Sequence, residues 1–340
     1  MEMVTAGKAA WRKVIEKYRE PSMVRALWQV ANTFIPYVLL WAAMYWSVNN
    51  AGWLLTLPLA VIAGLILVRI FIILHDCGHG SFFRSRVAND TLGTIAGVLT
   101  FTPYYQWRWE HAIHHSTSGH LDKRGVGDIW TMTVQEYLES SRWRRFAYVL
   151  ARNPVVLFLV GPMYMFVVHQ RWPRAGAGER ARQSVWFTNL GVLCLSLGLI
   201  WLYGFVAWLV IQFVAIGVAG AVGVWLFYVQ HQFEGVYWER GDSWDYSDAA
   251  LRGSSFYKLP ATLQWISGNI GFHHIHHLSA RIPNYNLQRA HDAEPMFQQV
   301  KPLTLWSSFK TMNLRLWDEG QRKLVGFRRL RELRKEQKPR

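Results

Sequence analysis

Eight histidines stand in one HxxxH and two HxxHH arrangements: His75 and His79 in HDCGH, His111, His114 and His115 in HAIHH, and His273, His276 and His277 in HHIHH. Residues at i, i+3 and i+4 share a helix face, so on helices each cluster would aim two or three imidazoles at one point. That is the spacing of metal ligands. Neutral imidazoles with few carboxylates or thiolates around them suit iron, zinc, copper or nickel. A structural zinc takes four ligands, so eight imidazoles point to more than one metal. A lone histidine is ordinarily a hydrogen-bonded core or interface residue, but three clusters in one chain do not read that way. His231, in YVQHQFEG, directly follows an apolar run and is a ninth candidate. The only two cysteines, Cys77 and Cys194, lie far apart, so neither a disulfide framework nor a Cys-based metal site is expected.

The elements that must position these histidines are apolar runs. Residues 28–48, 53–74, 185–203 and 207–229 are each about the ~20 residues needed to cross a bilayer core, and Arg69 is the only basic residue within them. Many of the 19 tryptophans and 14 tyrosines crowd the run ends, where amphipathic rings favour the headgroup level. The expected fold is therefore an all-α integral membrane protein with four transmembrane helices in two hairpins and a cytoplasmic helical cap. No cleaved signal segment is expected, because residues 1–27 are polar and basic and the first run is long enough to span.

The net charge of +15 would raise the question of nucleic acid in a soluble protein. Here the positions of the charges answer it. Of 37 Lys and Arg, six precede the first run, thirteen lie between residues 84 and 182, and seventeen follow residue 231, while the links 49–52 and 204–206 carry none. The positive-inside rule places both termini, the central segment and all three histidine clusters in the cytoplasm. Such a face would lie against anionic headgroups and attract an acidic soluble partner; nucleic acid is not expected.

Residues 1–27 read as an amphipathic basic segment (Trp11, Val14, Ile15, Tyr18) on the solvent or membrane surface. Residues 28–300 form the main domain, and residues 301–340 read as a basic cytoplasmic tail. Arg69 is near enough to the end of the second run to snorkel. Residues 91–103 are too short to span and read as interfacial or re-entrant. The same reading is given to 149–168, because a single crossing there would put the third histidine cluster on the wrong side. Asp76, Glu110 and Asp128 are candidates to orient imidazoles through the far ring nitrogen, and Gly78 and Gly80 for close helix approach.

A nitrogen-rich centre at the mouths of membrane helices suits an amphipathic substrate, its head in water and its tail between helices. Zinc hydrolysis does not use so many neutral nitrogens, whereas redox iron activating dioxygen does. The stretches HDCGHGSFF (75–83), HAIHHSTSGHLD (111–122), QHQFEGVYW (230–238) and GNIGFHHIHHLSARIPNYNL (268–287) resemble the membrane fatty acid desaturases, most of all the acyl-lipid delta-12 and omega-3 type. The resemblance covers roughly residues 30–300.

It implies a non-haem centre of two iron ions with O2 as co-substrate. Carried over residue by residue, the ligands would be His75, His79, His111, His114, His115, His273, His276 and His277, with His231 matching an additional histidine after the last span. No catalytic residue beyond the ligands is implied. His274 and His120 fall outside the ligand positions and are expected to be structural or supporting. The implied reaction removes hydrogen from two adjacent methylenes of a fatty acyl chain, lipid-linked and delta-12-like, to leave a cis double bond. The chain has no haem module or four-cysteine iron-sulfur motif, so a ferredoxin or cytochrome b5-like donor is expected to supply electrons. The implied setting is a multi-pass protein of a bacterial inner membrane. A hydroxylase, acetylenase or ketolase would use the same boxes. A metal-ion transporter would instead place ligands at mid-membrane on broken helices, and a non-catalytic lipid binder would lack ligands.

Overall fold

The computed structural model describes residues 10–336. The first nine residues of the basic N-terminal segment, and the last four of the C-terminal one with Lys338 and Arg340, lie outside the described residues. In chain order the helices are α1 (Ala10–Glu16), α2 (Met23–Asn50), α3 (Trp53–His79), α4 (Arg86–Leu99), α5 (Tyr104–Thr117), α6 (Val134–Glu139), α7 (Arg142–Ala151) and α8 (Gly161–Val167). Then come α9 (Glu179–Tyr203), α10 (Phe205–His231), α11 (Tyr246–Gly253), α12 (Ala261–Ile266), α13 (His273–Leu278), α14 (Asn284–Ala293), α15 (Pro295–Gln298), α16 (Leu305–Ser308) and α17 (Arg328–Glu336).

The four apolar runs become α2, α3, α9 and α10, which are long and apolar enough to cross a membrane. At 25 to 28 residues and 1.5 Å per residue each is roughly 40 Å long, against about 30 Å of hydrocarbon. The surplus has a use: α3 and α10 continue past the apolar runs and carry His75, His79 and His231 with them. Gly80 stops α3 directly after His79, with a left-handed φ of 67° and its N–H on the Asp76 and Cys77 carbonyls. Its role is that turn, since a Cβ there would meet nothing within 4 Å. Gly78 does serve close approach: a Cβ would lie 2.8 Å from the Trp107 ring of α5.

α3 is the central helix, buried along most of its length against α2, α4 and α10. α9 by contrast leaves Trp186, Phe187, Leu190 and Trp201 exposed, the outward apolar face of a helix that meets lipid. Arg69 does not snorkel. It is 6% exposed, donates from Nε to Thr33 Oγ1 (3.0 Å) and from Nη1 to the Trp265 carbonyl, and stacks 4.2 Å over the Trp265 ring. The charge is met by protein acceptors and an aromatic face between α2, α3 and α12, which a single-sequence reading of side-chain length could not anticipate.

α4 has 14 residues, too few to cross, and packs on α3. The stretch 149–168 contains the end of α7, a π-helical turn (Val156–Val160) and α8, with a 68° bend between the two parts. Arg152, 2% exposed, sits at that bend and donates to Gln232 Oε1 (3.0 Å) and the Leu314 carbonyl (2.7 Å), so protein rather than lipid receives it.

The rest forms short helices and two small sheets, and here two expectations change. The amphipathic face of α1 and the turn after it is buried on protein, Ile15 and Tyr18 packing with Phe272, Ile275 and Phe297. Residues 301–336 are not a loose tail. Three-residue strands β4 (Leu316–Asp318) and β5 (Lys323–Val325) pair with each other and, through β4, with β1 (Met132–Thr133), burying Leu316 and Trp317. A second pair joins β2 (Phe256–Lys258) to β3 (Pro302–Thr304). Strands this short carry too little alternation to be read, so a mostly helical fold hides two small sheets.

Candidate metal centre

Local structure explains how the histidines meet. α3 presents His75 and His79 one turn apart, α5 presents His111, His114 and His115, α10 ends on His231, and α13 is a six-residue helix with every side chain buried. The three boxes do not each serve one point. One group comprises His75, His79, His111, His115 and His276; a second comprises His114, His231 and His277; within each, one nitrogen per ring lies within 4.8 Å of all the others. Neighbours on a helix differ by about 100°, so the doublets His114-His115 and His276-His277 each give one imidazole to one group and one to the other. The two groups adjoin, the His115 and His277 rings being stacked at 4.2 Å.

The nitrogens converge closely. Nε2 atoms of His111 and His115 are 3.1 Å apart, those of His115 and His276 3.1 Å, and those of His114 and His231 3.2 Å. His273 belongs to neither group but brings Nε2 to 3.0 Å from that of His231. Two nitrogens on one ion at ~2.0–2.1 Å, with tetrahedral or right-angled geometry, sit about 2.9–3.4 Å apart, so the spacing fits shared ions. Burial, and after it the neighbouring imidazoles, hold His111, His115, His273, His276 and His277 well below the ordinary histidine value. They are neutral, with lone pairs free to bind a metal. His79 Nε2 and His277 Nε2 are buried without a hydrogen-bond partner, a costly state that ligation would relieve.

Carboxylates flank the rings. Asp128 Oδ1 is 2.7 Å from His114 Nδ1, and its other oxygen accepts from the Gly125 N–H at 2.9 Å. Asp76 Oδ1 is 3.1 Å from His75 Nδ1, while Oδ2 accepts from the Asn284 backbone (2.6 Å) and side chain (2.9 Å). Glu110 orients no imidazole; it accepts from Arg174 Nε at 2.7 Å. Asn284 was missed, and its position just after Pro283 would have read only as a helix start. His274 faces Phe256, His291 and Phe297, away from both groups, and burial pushes it down to about 3. His120 lies near Trp244 and accepts from the Asp122 N–H, in neither group.

Beside the histidines lies a cavity of about 520 Å³. Its walls are α3 (Leu67, Phe71), α10 (Gly220, Gly223) and the bent segment (Pro162, Phe166), and His75, His111 and His273 face it. Gln106, Glu110, Gln170 and Arg174 make another part of the lining polar. Buried neutral nitrogens beside an apolar slot can hold metal ions next to a hydrocarbon.

The comparisons with known proteins agree. The family model described as "Fatty acid desaturase" matches residues 51–307. The chain is similar to a "Fatty acid desaturase" of Bacillus subtilis, 45% identical over 94% of this chain and 91% of the relative. It is 28% identical to a Synechocystis "sn-1 acyl-lipid omega-3 desaturase (ferredoxin)" over 84% of this chain and 77% of that one. A Picosynechococcus "sn-1 oleoyl-lipid 12-desaturase" is 29% identical over 71% and 69%.

Proposed function

The chain belongs to the fatty acid desaturase family of oxidoreductases, and on that premise we propose that it introduces a cis double bond into a lipid-linked acyl chain at a delta-12-like position. The observation that carries this reading is the convergence of histidine nitrogens, 3.0–3.2 Å apart, into two adjoining groups beside an apolar cavity. His75, His79, His111, His115 and His276 would hold one iron, and His114, His231, His273 and His277 the other. Bound iron supplies the means to use O2 as the oxidant. Overall, two adjacent methylenes each lose one hydrogen; O2, two electrons and two protons complete the balance, giving one double bond and two waters.

The protein's own share is position. The cavity walls exclude water and hold the chain extended past His75, His111 and His273, while Asp76 and Asp128 fix ring orientation through the far nitrogens of His75 and His114. The names of the relatives at 28–29% identity support an acyl-lipid substrate and, for one, a ferredoxin donor. Distribution of Lys and Arg supports two helix hairpins with the cap, the termini and the donor-docking face in the cytoplasm, and the bent 142–171 segment at the interface. The Bacillus relative supports a bacterial cell membrane as the setting.

The test is fatty acid profiling, with double-bond derivatisation, of a host expressing the chain with a compatible donor. A new unsaturated product that is absent with His276→Ala, at equal membrane yield, is expected. Full activity in that variant would remove the third box from the site, and a hydroxylated product would assign the chemistry differently.

A further inference from the structure

We infer that an acidic one-electron carrier protein docks on the arginines gathered around Asp90 and passes electrons into the site beside His79, an inference that rests on the proposed redox reaction. Asp90, partly buried on α4, faces three guanidinium groups: Arg108 of α5 at 3.2 Å, Arg180 of α9 at 3.3 Å, and Arg86, one turn before it, at 3.8 Å. Three cations on one carboxylate leave a surplus of two positive charges, and among the described residues no second carboxylate pairs with any of the three. One arginine would neutralise Asp90; the others answer no internal charge. Arg86 even stands in the first turn of α4, where the helix dipole disfavours a cation. The side chains are 74% (Arg86), 36% (Arg108) and 58% (Arg180) exposed, so the surplus faces outward.

The cluster stands beside the part of the site that reaches the surface. Tyr104 Oη lies 3.2 Å from Asp90 Oδ1 and 2.7 Å from the carbonyl of Cys77, two residues before His79. A Cβ on Gly78 would lie 3.9 Å from Arg108 Cβ. His79 and His115 are partly exposed although neither lines the acyl cavity, whereas His114, His231, His273 and His277 are buried. Next to them on α5 the exposed residues Ala112 and Ser116 are too small to hold a partner off. Electron transfer weakens steeply with distance, so a carrier seated on the arginines has its approach at this edge. Each visit delivers one electron and releases the carrier oxidised. Two visits supply the two electrons that, with two protons and the two hydrogens of the acyl chain, carry O2 to two waters. The helix α7 is also basic, but it interleaves exposed Trp143, Phe146 and Leu150 with Arg142 and Arg144. That pattern suits lipid headgroups and makes α7 the matched control.

The full-length protein, unmodified, with Arg86→Gln and Arg180→Gln together, or with Arg142→Gln and Arg144→Gln together, is placed in phosphatidylcholine vesicles and given an acidic two-iron ferredoxin. Binding of the oxidised ferredoxin is measured by cosedimentation over a range of salt. Turnover is driven either by reduced ferredoxin below saturation or by reduced methyl viologen, a small cation that needs no docking site. At low salt the Arg86 and Arg180 pair should weaken binding and ferredoxin-driven turnover at least about tenfold, the size of an electrostatic steering effect. The difference should close as salt screens the charges. Viologen-driven turnover and iron per protein should stay as in the unmodified protein, and the α7 pair should match it throughout. Unchanged binding, an equal loss under both reductants, or the same loss in the α7 pair overturns the inference. So does a loss seen only when anionic lipid is added, which would assign the arginines to headgroups. If the double variant does not accumulate, Arg86→Gln alone decides. Absence of any double bond under either reductant would instead sink the reading on which the inference rests, while the binding measurement still decides the docking.

Discussion

Asn284 bears on the proposed metal ligands although it hydrogen-bonds to none of them. Its backbone and side-chain N–H groups both donate to Asp76 Oδ2, whose other oxygen faces His75 Nδ1, and all three residues are buried. Losing the side-chain donor leaves the carboxylate underheld and the ring free to turn. Asn284→Ala should lower iron occupancy or activity roughly 10- to 100-fold, the usual cost of losing an outer partner of a ligand. Iron per protein and turnover, measured together, check this; unchanged values would make the contact dispensable. The histidine types and spacings were legible in the sequence because ligation demands imidazole and a helix demands i, i+3, i+4. Their division between two groups was not, because it depends on how α3, α5, α10 and α13 face one another. Asp76 and Asp128 were legible as candidates, but Glu110 could not be separated from them until Arg174 was found beside it.

Elements were legible in proportion to their length. The four long helices announce themselves because about 20 apolar residues have few other uses; what the apolar runs did not mark is the polar first turn or two of α2 and α9, which begin at Met23 and Glu179. α13 has six residues and β4 and β5 three each, too short for a period to show. α1 was legible as amphipathic but not as docked, since lipid and protein offer the same apolar surface to Ile15 and Tyr18. Its seat is tied by Tyr18 Oη, which donates to Glu294 at 2.8 Å, and by the Asn286 side chain, which donates to the Tyr18 carbonyl at 2.9 Å. Ile15→Asp would place an unpaired carboxylate among Phe272, Ile275 and Phe297, a cost of several kcal/mol. It should release α1 and expose the Lys17 and Arg19 bonds to trypsin at least several-fold faster than in the unmodified protein. Equal cleavage rates would mean that α1 holds by other contacts.

The whole molecule divides into four long apolar helices and a set of short elements carrying most of the positive charge. On the proposed orientation, with these short elements in the cytoplasm, protease added outside intact spheroplasts should leave them whole, and protease added to inverted vesicles should digest them. Cleavage from the outside would reverse the orientation drawn from the Lys and Arg distribution. The folding of residues 302–325 back onto the other short elements was not legible in the sequence, because it rests on pairing between β1 and β4 across a long stretch of chain.

The seat of α1 on α13, α14 and α15 also bears on how the protein is made. A ribosome delivers Ile15 and Tyr18 before the first membrane helix, yet the surfaces that bury them, from Phe272 to Phe297, emerge only after the last one. The same wait applies to His75 and His79, whose companion His276 arrives with the final box. On the proposed ligand set, metal loading would be a late event in biogenesis, and through most of translation the nascent chain must keep an apolar N-terminal face and half of the histidine cluster from premature association.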